Sequence, residues 1–275
     1  MSKVVLNPID EKRLSLLVKD LPQSLLLTGD KGIGLATIAH SIADKNLAGF
    51  LQPQNSKEQI DNESGTISVE MIRGLYTQTR AKHTGRQVII IDNADRMSAG
   101  AQAAFLKLLE EPNDSIHFIL TSHTPQKLVL TIISRIQEFT LHPITHEQTT
   151  AFLDSLKVDD KTKRAQLQFI ADGFPAELSR LITNDSYFKQ RAKIMGDART
   201  FLQSNAYEKV LIAQEYQGER PQALQLVDSC MQILRRSISA KPQQAAIAQL
   251  TLLLTIRDNI NSQHNIRLQL ARFVL

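Results

Sequence analysis

The sequence of 275 residues has a single cysteine, Cys230, and no tryptophan. One thiol excludes an intrachain disulfide, and a reducing, cytoplasmic location is expected. Aromatic residues make up only 5% of the chain, too few to suggest a platform for base stacking. Sequence-specific reading of DNA is therefore not expected. No run approaches the roughly 20 apolar residues of a membrane span. The N-terminal stretch MSKVVLNPIDEKRLSLL scatters charges and lacks an apolar core, so no signal peptide is expected there. No sign of charge dominates: residues 1–141 carry 15 basic and 15 acidic side chains, the remainder 17 and 13, for a net charge of +4. That bias permits contact with nucleic-acid phosphates without arguing for it. A four-ligand zinc site is also excluded between residues 36 and 91, because His40 and His83 alone cannot supply it. His142 and His146 have helical spacing, but Pro143 between them makes them poor metal ligands. No metal and no cofactor is expected.

What is present is an ordinary globular balance, 42% hydrophobic and 22% charged, in a chain long enough for about two domains. The first half alternates strand-like and helix-like segments. Ser24–Thr28 (SLLLT) and Gln87–Ile91 (QVIII) are apolar runs of the kind that lie buried in a parallel sheet. Ile116–Thr121 reads as another strand and Gln137–Leu141 as a last one. Helices are expected from Gly32 to Ile42 and from an N-cap at Ser98 to Pro112, which closes the second. The order implies a parallel sheet with right-handed crossovers. After Pro143 only helical patterns follow: 147–156, 164–171, 177–182, then long helices over 187–202, 207–216, 221–239 and 243–260. Stripes such as Leu224, Val227, Met231 and Leu234 are expected to form a bundle core. The polar segment Leu51–Thr66 is expected to be an exposed loop.

Gly29, Gly32 and Gly34 lie between a predicted strand and a predicted helix, the setting of a phosphate-binding loop. In the pattern G-x-x-x-x-G-K-[ST], however, the lysine position holds Leu35 and the Mg²⁺-binding hydroxyl position holds Ala36. Lys31, inside the loop, cannot simply replace that lysine, and Thr37 is one residue late. The run Val88–Ile91 ends in Asp92, where such NTPases hold Mg²⁺, but the water-polarising glutamate position is Asn93. The site is therefore expected to be non-functional.

The strings Asp92–Met97 (DNADRM), Ala101–Pro112 (AQAAFLKLLEEP) and Phe118–Arg135 (FILTSHTPQKLVLTIISR) resemble the bacterial clamp-loader family of AAA+ proteins, over roughly residues 20–185. The resemblance implies an α/β plus all-α chain. Its parts would be an AAA+ RecA-like parallel-sheet domain at 1–142, a small helical lid domain at 143–185 and a C-terminal helical collar domain at 186–275. It also implies that Arg135, after Ser134, matches the family's S-R-C arginine, with Ile136 in place of the cysteine. In the family that arginine acts in trans on a neighbour's ATP. The sensor arginine of motor subunits falls on Ala176, as in the delta-prime branch. Ser122 and His123 stand where the family has sensor threonines, without a catalytic role. The expected function is thus a non-hydrolysing subunit of the DNA polymerase III clamp loader, with an arginine finger for a neighbour. The alternative is a motor-type (gamma/tau-like) or other AAA+ ATPase with an atypical phosphate loop. Implied partners are motor and delta-type subunits, the sliding clamp indirectly, and primer-template DNA through non-specific phosphate contacts; no membrane is implied.

Overall fold

The computed structural model describes residues 4–62, 64–80, 85–111, 113–241 and 243–273. They form two compact units, Met1–Ser179 and Arg180–Leu275.

The first unit is built on five parallel strands: β1 Ser24–Thr28, β2 Leu47–Leu51, β3 Gln87–Ile91, β4 Ile116–Ser122 and β5 Gln137–Thr140, in the order β2-β3-β4-β1-β5. Its helices are α1 Pro8–Lys19, α2 Leu35–Ala43, α3 Val69–Arg80, α4 Ala99–Glu110, α5 Leu130–Ile133, α6 His146–Ser155, α7 Lys161–Ala171 and the start of α8 Pro175–Thr183. Successive side chains of a strand point to opposite faces, and both faces are covered here. Leu26, Ile89, Ile91, Phe118 and Leu120 pack with residues of α3 and α4 on one side. Leu25, Leu27, Val88, Ile90 and Ile119 pack with residues of α1 and α2 on the other. This is why β1 and β3 carry unbroken apolar runs, Leu25–Leu27 and Val88–Ile91, rather than alternating. Each such Leu or Ile, fully buried, contributes about 1.5–3 kcal/mol.

The four predicted strands, to within a residue at their ends, and most of the predicted helices lie where the patterns place them. Helix α2 starts at Leu35 rather than Gly32, because Gly32 and Gly34 have φ of +91° and +95°, outside the helical region. Ser98 caps α4 by accepting from the amide of Ala101 at 3.1 Å. The helix ends at Glu110; the predicted stop, Pro112, lies outside the described residues, as does His83. Strand β2 was not legible as one: LAGFL carries Gly49, a register shift after Leu47 and a half-exposed edge position. The Leu51–Thr66 segment is largely exposed but hydrogen-bonded within itself. Gln54 and Thr66 exchange backbone bonds at 3.1 and 2.9 Å, and Asn55 Oδ1 accepts from the amides of Lys57 and Gln59.

The second unit holds α9 Asp185–Gln203, α10 Ala206–Glu215, α11 Arg220–Ala240, α12 Gln244–Asn261 and α13 Ile266–Ala271. Val227, Met231 and Leu234 are in its core with Ile194, Phe201 and Ile256, and Leu224 packs against it. Cys230 is fully buried there, and burial pushes its thiol up from the ordinary range. Among the described residues no helix is long and apolar enough to cross a membrane.

Candidate functional site

The parallel sheet has two edges with different chemistry. Where the strands end, β1 runs into the glycine loop and β3 into Asp92. Where they begin, the chain enters β5 two residues after Arg135.

At the first edge, Gly29–Gly34 leads from Thr28 into α2. Gly34 is the N-cap of α2 and provides no side-chain cap. Leu35 faces the core and is 3% exposed, so the position of the missing lysine is occupied by a packed apolar side chain. Ala36 is half-buried and Thr37 exposed. The carbonyl of Gly32 accepts two bonds, from the amides of Ala176 at 2.9 Å and Glu177 at 3.1 Å. These are first-turn amides of α8, which have no partner within their own helix. A Cβ on Gly32 would stand 2.9 Å from Cβ of Glu177, and one on Gly34 would stand 3.4 Å from Cβ of Ala176. The start of α8 therefore rests on the loop. These α8 amides are thereby satisfied by a carbonyl and are not open to an anion.

The acid at the end of β3 is also engaged. Asp92 is 6% exposed and accepts from the hydroxyl of Thr121 at 2.6 Å and from Gln52 Nε2 at 3.3 Å. Asn93 takes a left-handed conformation, φ +51°, which asparagine tolerates, and its amide donates to Thr121 Oγ1 at 2.9 Å. Asp95 accepts from Ser122 at 2.8 Å and Thr124 at 2.7 Å. His123 donates from Nδ1 to the carbonyl of Gly29 at 2.7 Å. Ser122 and His123 thus both bond locally at the strand end. The sequence reading missed Thr121, Gln52 and Thr124; the only signal was hydroxyls following an apolar strand beside an acid. Asp10, fully buried, accepts from the amide of His142 at 2.6 Å and from its Nδ1 at 2.9 Å, tying α1 to the end of β5. Among the described residues no group of three His, Cys, Asp or Glu side chains could hold a metal ion. His40 packs edge-on against Phe50.

At the other edge, Arg135 follows the single turn of α5 and is 41% exposed in its side chain. Its Nη1 donates to the carbonyl of Thr131 at 3.0 Å and its Nη2 to Glu110 Oε1 at 3.2 Å. Ser134 donates to the same Thr131 carbonyl at 3.1 Å. The register pairs Gln137 with Leu25 and Thr140 with Thr28. Arg135 therefore lies beyond the start of the strand pair whose end carries the glycine loop. At about 3.3 Å per residue the paired stretch alone spans about 10 Å. The structure does not bring Arg135 together with Gly29–Gly34, Asp92 or Ala176.

A five-stranded parallel sheet with this loop and strand-end acid, followed by helices, defines an AAA+-type module. The DNA polymerase III gamma subunit-related protein of Thermotoga maritima has the same fold, with a TM-score of 0.51 at 16% identity over 96% of each chain. The family described as DNA polymerase III, delta subunit matches residues 51–145. DNA polymerase III subunit delta' of Bacillus subtilis is 30% identical over 212 residues, covering 70% of this chain and 61% of the relative. The Replication factor C small subunit of Staphylothermus marinus is 30% identical over 164 residues, 58% of this chain and 49% of the relative. The chain is thus similar in sequence to clamp-loader subunits, the delta' subunit among them. It spans half to three fifths of the length of these two curated relatives.

Proposed function

We propose that this chain is a non-hydrolysing subunit of a clamp-loader complex that serves a neighbouring ATPase through Arg135. The observation that carries the reading is the placement of Arg135 at the opposite edge of the sheet from the chain's own glycine loop. From there its guanidinium meets no phosphate bound by the same chain, while a planar cation near a γ-phosphate of another subunit would neutralise charge developing in phosphoryl transfer. The state of the chain's own site supports the same conclusion. Leu35 is core, Ala36 and Asn93 offer no metal ligand or base, the Asp92 carboxylate is bonded to Thr121 and Gln52, and Ala176 lies against Gly34.

In this reading residues 1–142 form the AAA+ domain, 143–185 the lid and 186–275 a helical collar. Partners are ATP-hydrolysing clamp-loader subunits and a clamp-opening subunit. Contact with primer-template DNA is through phosphates, without sequence choice, and the location is the cytoplasm.

Two measurements test it. Isothermal titration of the purified chain with ATP and Mg²⁺ should give no binding tighter than the high-micromolar range; micromolar affinity would remove the reading of the nucleotide site as non-functional, and turnover of that ATP would remove the non-hydrolysing role. A complex carrying Arg135→Ala should assemble and hydrolyse ATP more slowly. Unchanged hydrolysis would exclude the trans role.

A further inference from the structure

The carboxylate that holds Arg135 belongs to Glu110, the last residue of α4. A negative charge at a helix C-terminus is electrostatically disfavoured, and here a second acid, Glu111, follows it. Helix stability therefore gives no reason for a glutamate at this position. Its contact partner gives one. The guanidinium of Arg135 is held at two of its nitrogens by acceptors from two different helices: Nη2 by Glu110 at 3.2 Å and Nη1 by the Thr131 carbonyl of α5 at 3.0 Å. That carbonyl lies in the last turn of α5, and Ser134 Oγ is its other donor partner. Two acceptors from different helices set its direction, which a single contact on a four-torsion side chain does not. The surroundings suit a docking edge, since Leu130 of the same turn is 83% exposed.

Both members of the pair are about half exposed, 41% for Arg135 and 55% for Glu110. An ion pair in that setting is weak and exchangeable. It can orient the guanidinium without retaining it against a triphosphate, whose charge is larger and whose oxygens also accept in bidentate fashion.

We infer that Glu110 is a positioning residue for Arg135: it orients the guanidinium at the strand-start edge so that a neighbour's γ-phosphate meets it pre-oriented. This inference rests on the trans role of Arg135 proposed above. The test uses the full chain in an assembled clamp-loader complex, built from tagged ATPase copies so that only the copy bordering this chain keeps its phosphate-loop lysine. Its kcat and KM for ATP are compared for wild type, Glu110→Ala, Glu110→Gln, Arg135→Ala and the Glu110→Ala/Arg135→Ala double variant.

Misplacing a catalytic group lowers the rate of the chemical step more than substrate binding. Glu110→Ala is expected to lower kcat by about three- to tenfold with KM changed by less than about twofold. Glu110→Gln, which keeps an acceptor oxygen, should recover part of that loss. The double variant should match Arg135→Ala, because Glu110 acts only through the arginine. If Arg135→Ala is impaired while Glu110→Ala equals wild type, the positioning role is wrong and the trans role stands. If the double variant is slower than Arg135→Ala, Glu110 supports the fold instead, and the inference is overturned. If Arg135→Ala itself is unchanged, the underlying trans role has failed.

Discussion

The carbonyl oxygen of Gly32 accepts the amide of Ala176 at 2.9 Å, so the glycine loop and the first turn of α8 are joined backbone to backbone. The contact depends on the absence of a side chain at Gly32, whose φ is +91° and whose Cβ would lie 2.9 Å from that of Glu177. Gly32→Ala combines a left-handed conformation with that clash and should cost on the order of 1–3 kcal/mol. Urea unfolding of the variant checks this. Gly74 in α3, where an added Cβ meets nothing within 4 Å, is the control: Gly74→Ala should gain about 0.5–1 kcal/mol.

Restoring the phosphate-loop lysine and hydroxyl should not restore an ATPase. In Leu35→Lys/Ala36→Thr a core side chain is replaced by a cation, with loss of about 1.5–3 kcal/mol of burial before the charge is counted. The expected result is a lowered urea midpoint and no saturable ATP turnover by the isolated chain. Turnover above background would contradict it.

The Thr121 hydroxyl donates to Asp92 and accepts from Asn93 in the interior of the strand end. Thr121→Val keeps the shape and leaves both partners short of a bond. The expected cost is about 1–3 kcal/mol, read as a shift in the denaturation midpoint, with the ATP titration unaltered.

Asp10 is a fully buried carboxylate with two donors, both from His142. Removing it in Asp10→Ala leaves the amide of His142 without its acceptor. Hydrogen bonds to charged groups are worth about 1.5–3 kcal/mol each, so this variant should be among the most destabilised single changes in the first unit. Amide hydrogen exchange should localise the opening to α1 and the end of β5.

Burial raises the thiol of Cys230 above its ordinary range. Its thiolate is therefore scarce at neutral and mildly alkaline pH, and the sulfur is out of contact with solvent. A chromogenic disulfide reagent should leave the native protein almost unlabelled and react fully in guanidinium chloride. Rapid labelling of native protein would show that the helical core around α11 opens readily.

The sheet was legible because its central strands are covered on both faces, so β1 and β3 carry unbroken apolar runs. The edge strand β2 escaped for the converse reason: Leu47 and Phe50 are partly exposed and Gly49 interrupts the pattern. Helices α1, α3, α5 and α13 also went unread; in α1 charges interrupt the apolar positions, and one of its two buried residues is Asp10. In the candidate site, the glycines, Leu35, Asp92 and Asn93 could be named from the spacing of the loop and strand-end patterns, and Arg135 from the family resemblance. What spacing does not carry is pairing across the fold. Glu110 and Arg135 are separated by 25 positions and Asp10 and His142 by 132. Local patterns do not encode such distances, and the partners became visible only once strand register fixed which ends coincide.

The separation of the two sheet edges also has an evolutionary corollary. Substitutions at the ends of the strands leave the side chains at their beginnings in place, so a duplicated copy of such a module can lose one edge by drift while the other is kept. On the proposed reading the route back would be harder. Leu35 is core and the α8 amides bond to Gly32, so gaining a phosphate-binding lysine would disturb the loop and the helix turn that rests on it together. Each step alone would lower stability, and such a loss would behave as a ratchet.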